Sequence, residues 1–189
     1  MMKHKTEIVP GSLSAITNRD GLSLAESFLA VDVILIVDVS ASMEIHDAPN
    51  GQSRYQAACE ELQTIQRQMP GKVGVVAFSA HAEFCPSGVP TPMFGSTDMA
   101  AALRFVKPAD DLGIRLIIIS DGEPNSQNET LAVARAFKTH IDVVYIGPEM
   151  GGGRKFLQRL ATESGGQYVK AAEIGLLATP VMNLLTTSL

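Results

Sequence analysis

The chain has 189 residues, 46% of them apolar and 19% charged, with a formal net charge of −5. That length suits one domain with a sizeable core, and the composition excludes a disordered, collagen-like or coiled-coil protein. The acidic balance, with Lys and Arg scattered rather than clustered, argues against a nucleic-acid surface. No apolar run approaches the ~18 residues needed to cross a bilayer. The polar start Met1-Met2-Lys3-His4-Lys5-Thr6-Glu7 has no apolar stretch behind it, unlike a signal peptide. Cys59 and Cys85 lack a CxxC spacing and read as free thiols. A cytoplasmic, reducing setting is the expectation, with no membrane contact.

Residues 1–10 read as an extended lead-in ending at Pro10-Gly11. Residues 12–29 read as two short helices broken by the turn-like cluster Asn18-Arg19-Asp20-Gly21. Together, residues 1–31 are expected to form an N-terminal extension packed on a main domain of residues 32–189. Val33-Ile34-Leu35-Ile36-Val37, four of them β-branched, predict a strand buried on both faces. Ser53 is a plausible N-cap for a helix over 53–69, which ends before Pro70-Gly71. Lys72 to Phe78 predicts a second buried strand, and Ala82 to Cys85 a short edge strand closed by Pro86 and Pro90.

Thr97 to Val106 predicts a short helix, and Arg115 to Ser120 another buried strand. A helix from Asn125 or Ser126 to about Thr139 follows, then a strand at Ile141–Ile146. Gly151-Gly152-Gly153 reads as a flexible loop before a helix at about 154–164. A weak strand at Gln167–Val169 leads to a closing helix over about 172–187, which Pro180 is expected to kink or split. Strands alternating with helices imply an α/β fold: a doubly wound, three-layer arrangement with a mostly parallel sheet and helices on both faces.

Three separated segments then stand out. Asp38, Ser40 and Ser42 follow directly on the first strand as D-x-S-x-S. Thr97 lies in Phe94-Gly95-Ser96-Thr97-Asp98 at a helix start. Asp121 closes the apolar run Leu116-Ile117-Ile118-Ile119 as Ser120-Asp121-Gly122. In a doubly wound sheet such loops gather at the carboxyl edge, where neighbouring crossovers diverge. Two carboxylates and three hydroxyls suit Mg²⁺, which prefers six oxygen ligands and keeps several waters. Zn²⁺ would call for Cys or His, and none lies in these segments. So weak a ligand charge leaves the ion electrophilic and open to a carboxylate from outside.

These motifs together resemble the metal-ion-dependent adhesion site of von Willebrand factor A (vWA) domains. The likeness in order and spacing of elements runs over roughly residues 32–187. It implies a Rossmann-like fold with one short antiparallel edge strand, a place that Ala82–Cys85 suits. It also implies that Ser40, Ser42 and Thr97 hold the ion directly or through water, while Asp38 and Asp121 supply charge, partly through water. Mg²⁺ is the expected ion, with Mn²⁺ or Ca²⁺ as substitutes. The implied function is binding of a protein partner that supplies an Asp or Glu, without catalysis. No regulatory domain, anchor or secretion signal accompanies the module, so the standalone intracellular kind common in bacteria and phages is expected. Residues 1–31 fall outside the family core.

A second reading is a metal-assisted hydrolase or phosphotransferase that uses Asp38. Against it, position 40 is Ser where a D-x-D-x-T arrangement would need Asp, and no His–carboxylate pair is visible for acid–base work. Other residues have ordinary explanations. Asp98 reads as a helix-terminal charge and Glu123 as a solvated loop residue. His46 and Asp47 read as part of a loop that shapes partner choice. Arg54 and Tyr55 border the site or simply begin a helix, and Met93 and Phe94 are either core or rim. Gly151-Gly152-Gly153-Arg154-Lys155 lacks phosphate-loop spacing.

Overall fold

In the computed structural model, residues 8–148, 152–171 and 176–187 are described. Their apolar runs become strands β1 (Val33–Asp38), β2 (Val73–Phe78), β4 (Arg115–Ser120) and β5 (Ile141–Tyr145). Short strands β3 (Ala82–Phe84) and β6 (Tyr168–Lys170) complete a sheet of order β3-β2-β1-β4-β5-β6. Only β3 is antiparallel, pairing Val76 with Phe84 at one edge. The sheet is the mixed, mostly parallel one expected, and Ala82–Phe84 is its antiparallel edge strand.

Alternate side chains along each strand feed two separate cores. Ile34, Ile36, Val76, Phe78, Leu116, Ile118 and Val143 pack on one face with helices α4 (Met99–Asp110), α5 (Gln127–Ala134) and α6 (Gly153–Glu163). Leu35, Val37, Val75, Ile117, Ile119 and Val144 pack on the other with α3 (Arg54–Gln68) and α7 (Ala178–Thr187). The chain runs from β1 through α3 to β2 on one side. It returns from β3 through α4 to β4 on the other side of β1. The switch point, where loops of opposite sense part, therefore falls between β1 and β4.

Before β1, α1 (Leu13–Asp20) and α2 (Leu24–Leu29) lie against the β2–β3 end of the sheet. Leu13 is buried among core side chains, and the rings of Phe28 and Phe84 meet edge to face at 5.5 Å. Gly11 has φ 88° and approaches α3 so closely that a Cβ would stand 2.2 Å from the Gln66 carbonyl oxygen. The turn between α1 and α2 begins only at Gly21, so Asn18–Asp20 are helical. Among the described residues no helix is long and apolar enough to cross a membrane. Cys59 and Cys85 are free thiols.

Four helices depart from the sequence expectation, each for a physical reason. α4 runs on to Asp110 through Pro108. Proline frees the carbonyl of Arg104, an exposed residue, while buried Val106 and Ala109 hold the last turn. α5 stops at Ala134 rather than near Thr139. α6 begins at Gly153, whose Cβ would lie 2.4 Å from the Gly122 backbone carbon; Gly153 thus marks a close approach rather than a flexible loop. Gly151 lies outside the described residues, as do 1–7 of the lead-in and 172–175 of the closing helix. Pro180 sits in the first turn of α7, where a missing N–H is no loss, so it neither kinks nor splits the helix.

Asp110 explains the early end of α5. Its buried carboxylate accepts the backbone N–H of Lys138 at 2.9 Å and of Thr139 at 2.7 Å, and the Lys107 ammonium at 2.6 Å. Those amides are thereby drawn out of the helical ladder. Burial pushes the Asp110 carboxyl up, but Lys107 and the two amides outweigh it and hold the group well below the usual carboxylate range. A depressed acid stabilises the fold fully above its unfolded value near 4 and loses that contribution as pH falls through the lowered one. Asp110→Asn should therefore cost about 2 kcal/mol at pH 7, read by urea unfolding. The gap to wild type should narrow as the pH is taken below 4.

Candidate metal centre

The three segments singled out in the sequence all come to the carboxyl edge of the sheet, at the switch point. Val37 stands opposite Ile119 in the parallel β1–β4 ladder, so the next residues, Asp38 and Ser120, are neighbours. Asp38 is fully buried. Its Oδ2 accepts the Ser120 hydroxyl at 2.6 Å and its Oδ1 accepts the Ser40 backbone N–H at 2.8 Å. Burial pushes its pKa up, against the pull of the Ser120 and Ser40 donors, and the Asp121 charge adds to the rise.

A short 3₁₀ turn, Ala41–Glu44, follows β1 and carries Ser42 inward. Ser40 Oγ and Ser42 Oγ are 3.2 Å apart, and Ser42 Oγ donates to Asp121 Oδ1 at 2.8 Å. Asp38, Ser40, Ser42 and Asp121 therefore form one connected set of hard oxygen donors. Such a set fits Mg²⁺ or Mn²⁺ and not Zn²⁺. Among the described residues no group of three or more His, Cys, Asp or Glu is placed to hold a metal. The capacity of this corner thus rests on hydroxyls added to two carboxylates.

Thr97 arrives by a different route. The segment before it lies along the D-x-S-x-S loop, with Phe94 N–H donating to Val39 O at 2.9 Å and Ala41 N–H to Gly95 O at 3.1 Å. Phe94 has φ 47°, a left-handed backbone of the kind that collects at functional sites. Its ring meets Tyr55 edge to face at 5.7 Å, so it is half-buried support rather than an open rim, while Met93 packs on the core. Thr97 itself is fixed through its backbone, its N–H donating to Asn125 Oδ1 and its carbonyl accepting the Asn125 N–H. Among the described residues its hydroxyl makes no hydrogen bond to the other four. Asp98 caps α4 by accepting the Ala101 N–H at 2.9 Å.

Arg54 is the site residue least visible in the sequence. It opens α3 behind the Ser53 cap, yet it is only 7% exposed. Its Nε and Nη2 donate to the two oxygens of Asp47 at 2.8 and 2.6 Å, and its Nη1 donates to Asp121 Oδ2. The signal was present: a cation in the first turn opposes the helix dipole and needs a nearby anion. Asp47 is therefore tied to the site through Arg54. His46 bonds instead to the Gly51 carbonyl across its own loop, with Nδ1 3.0 Å from that oxygen. Ser120 and Asn125 are the other supporting residues that the motif alone did not assign.

No protein-family model matches the chain, and a search of curated proteins finds no match. Solved structures do. An aerotolerance-related membrane protein from Bacteroides fragilis is 17% identical with a TM-score of 0.64, over 82% of this chain and 98% of that one. A von Willebrand factor type A structure from Catenulispora acidiphila is 18% identical with a TM-score of 0.61, over 82% of this chain and 42% of that one. The manganese-loaded TRAP protein of Plasmodium vivax is 19% identical with a TM-score of 0.55, over 82% and 73%. At these identities the likeness concerns the fold: the chain has the fold of vWA domains.

The raised Asp38 pKa has a measurable consequence. Between the ordinary carboxylate value and the raised one, the native state keeps a proton that the unfolded chain has lost, so stability falls as pH rises through that window. In chelator, wild type should lose stability relative to Asp38→Asn as the pH climbs from 4 to 7, measured by parallel urea titrations. A constant difference across that range would contradict the burial argument.

Proposed function

We propose that the protein is a metal-dependent protein-binding module. Mg²⁺, or Mn²⁺ in its place, is held by Asp38, Ser40, Ser42, Thr97 and Asp121, and an Asp or Glu from a partner protein completes its shell. The observation that carries this reading is the hydrogen-bonded set Asp38–Ser120 and Ser40–Ser42–Asp121 at the switch point of a vWA-type sheet. The manganese in the TRAP structure supports a divalent ion on this fold. Two carboxylates, one of them already paired with Arg54, leave little negative charge to satisfy a dication. An outside carboxylate is the natural complement.

The role is one of binding rather than turnover. No His–carboxylate pair for acid–base work lies among the described site residues, and Arg54 and Asp47 are committed to each other. Partner capture in the cytoplasm, without nucleic acid or membrane, is the setting this reading assigns.

Affinity capture from lysate tests it, with wild type in Mg²⁺ compared with wild type in chelator and with Asp38→Ala in Mg²⁺. A protein retained only in the first condition, and lost when one acidic residue of that protein is neutralised, is the expected result. Mg²⁺ at 100 times its Kd should also raise wild-type stability by about 2.7 kcal/mol, or roughly 5–10 °C in Tm, and leave Asp38→Ala unmoved. Equal capture by all three samples would overturn the reading.

A further inference from the structure

Arg54 is a cation where two physical rules disfavour one. The first turn of α3 presents the positive end of the helix dipole, and the guanidinium is buried, with 8% of the side chain exposed. Two carboxylates hold it there, and they differ in kind. Asp121 is wholly enclosed and belongs to the metal corner, whereas the Asp47 side chain is half exposed on the loop between Ala41–Glu44 and α3.

Both oxygens of Asp121 are engaged, Oδ1 by the Ser42 hydroxyl and Oδ2 by Arg54. The two bonds respond differently to a cation at the site. A hydroxyl can give its lone pair to a metal and still donate its proton to Asp121. A guanidinium has no lone pair to offer, and its charge repels a dication sharing the same buried carboxylate.

We propose that Arg54 is an internal counter-cation that competes with the divalent ion for Asp121 and so sets the metal affinity of the site. Asp47 acts as the counterweight. Its bidentate grip draws the guanidinium charge outward and keeps Arg54 paired when Asp121 turns to the metal. In the absence of metal, Arg54 neutralises one of two neighbouring buried carboxylates, which would otherwise repel. The inference rests on the metal reading above and adds a means by which occupancy is held back until the ion or a partner is abundant.

The two residues should act with opposite sign, which a merely structural ion pair would not. Mn²⁺ titrations of the full chain, following the free-ion signal by electron paramagnetic resonance, would compare wild type, Arg54→Gln and Asp47→Asn. Arg54→Gln should bind Mn²⁺ ~10-fold more tightly, equivalent to about 1.4 kcal/mol. It should also melt lower than wild type in chelator and gain more from Mn²⁺. Asp47→Asn leaves Asp121 as the only carboxylate on Arg54 among the described residues and should bind Mn²⁺ several-fold more weakly.

Unchanged or weaker binding by a folded Arg54→Gln, with wild type binding normally, would overturn the competition while leaving the metal site intact. Should Arg54→Gln not fold, Asp47→Asn decides alone: weaker binding supports the inference, and equal or tighter binding rejects it. Binding by Arg54→Gln but not wild type would support it in its strongest form. Absence of binding in wild type and Arg54→Gln alike would reject the metal reading and this inference together.

Discussion

The parallel register of β1 against β4 fixes the chemistry of this protein. With Val37 opposite Ile119, the first polar residues beyond the two apolar runs emerge together, Asp38 next to Ser120 and then Asp121. Because side chains alternate along a strand, a slip of one residue would turn Asp38 to the other face and break the Ser120–Asp38 bond. The same slip would turn Val37 toward the wrong core, so the packing of both faces guards the register. Burial of Ile36, Ile118 and Val143 on one side and Leu35, Ile117 and Val144 on the other is thus also what aims the carboxylates.

Placing two carboxylates in one buried corner has an electrostatic cost, and the surrounding residues offset it in different ways. Asp38 is served by neutral donors alone, Ser120 Oγ and the Ser40 N–H, and its pKa is raised. Asp121 has a formal countercharge in Arg54. Removing one partner of such a buried pair costs about 3–5 kcal/mol, because the survivor is left uncompensated. On the proposed metal reading, an ion would enter a site whose charges are already partly balanced. The pairing by Arg54 would, on that same reading, favour a modest metal affinity and with it a role for an acidic ligand from outside.

Much of this was legible in the sequence. The apolar runs give the strands within a residue or so, the D-x-S-x-S, Gly-x-Thr-Asp and Ser-Asp-Gly segments meet at one edge, and Ala82–Phe84 is the edge strand. What escaped depends on contacts distant in the chain. The end of α5 is set by Asp110, 28 residues before Lys138. The start of α6 is set by contact between Gly153 and Gly122. Pro108 falls where the carbonyl it frees belongs to an exposed residue, Arg104, and buried Val106 and Ala109 hold the turn. Arg54 joins Asp121 across 67 residues, a pairing that no local pattern announces beyond the oddity of a basic residue at a helix start. Thr97 is the reverse case: its place in the motif is plain, while its hydroxyl makes no bond to the other four among the described residues.

The fold narrows the function without choosing the ligand, since one architecture serves many roles. The proposed choice rests on the chemistry of the corner, and a bound ion would be its most direct expression. Diffraction from crystals grown with Mn²⁺, recorded on both sides of the manganese absorption edge, would locate that ion. The account predicts an anomalous peak in contact with Ser40 Oγ, Ser42 Oγ and the Thr97 hydroxyl, with Asp38 and Asp121 close enough to act directly or through water. A saturating Mn²⁺ concentration that leaves this corner without a peak, or places the ion elsewhere on the molecule, would contradict it.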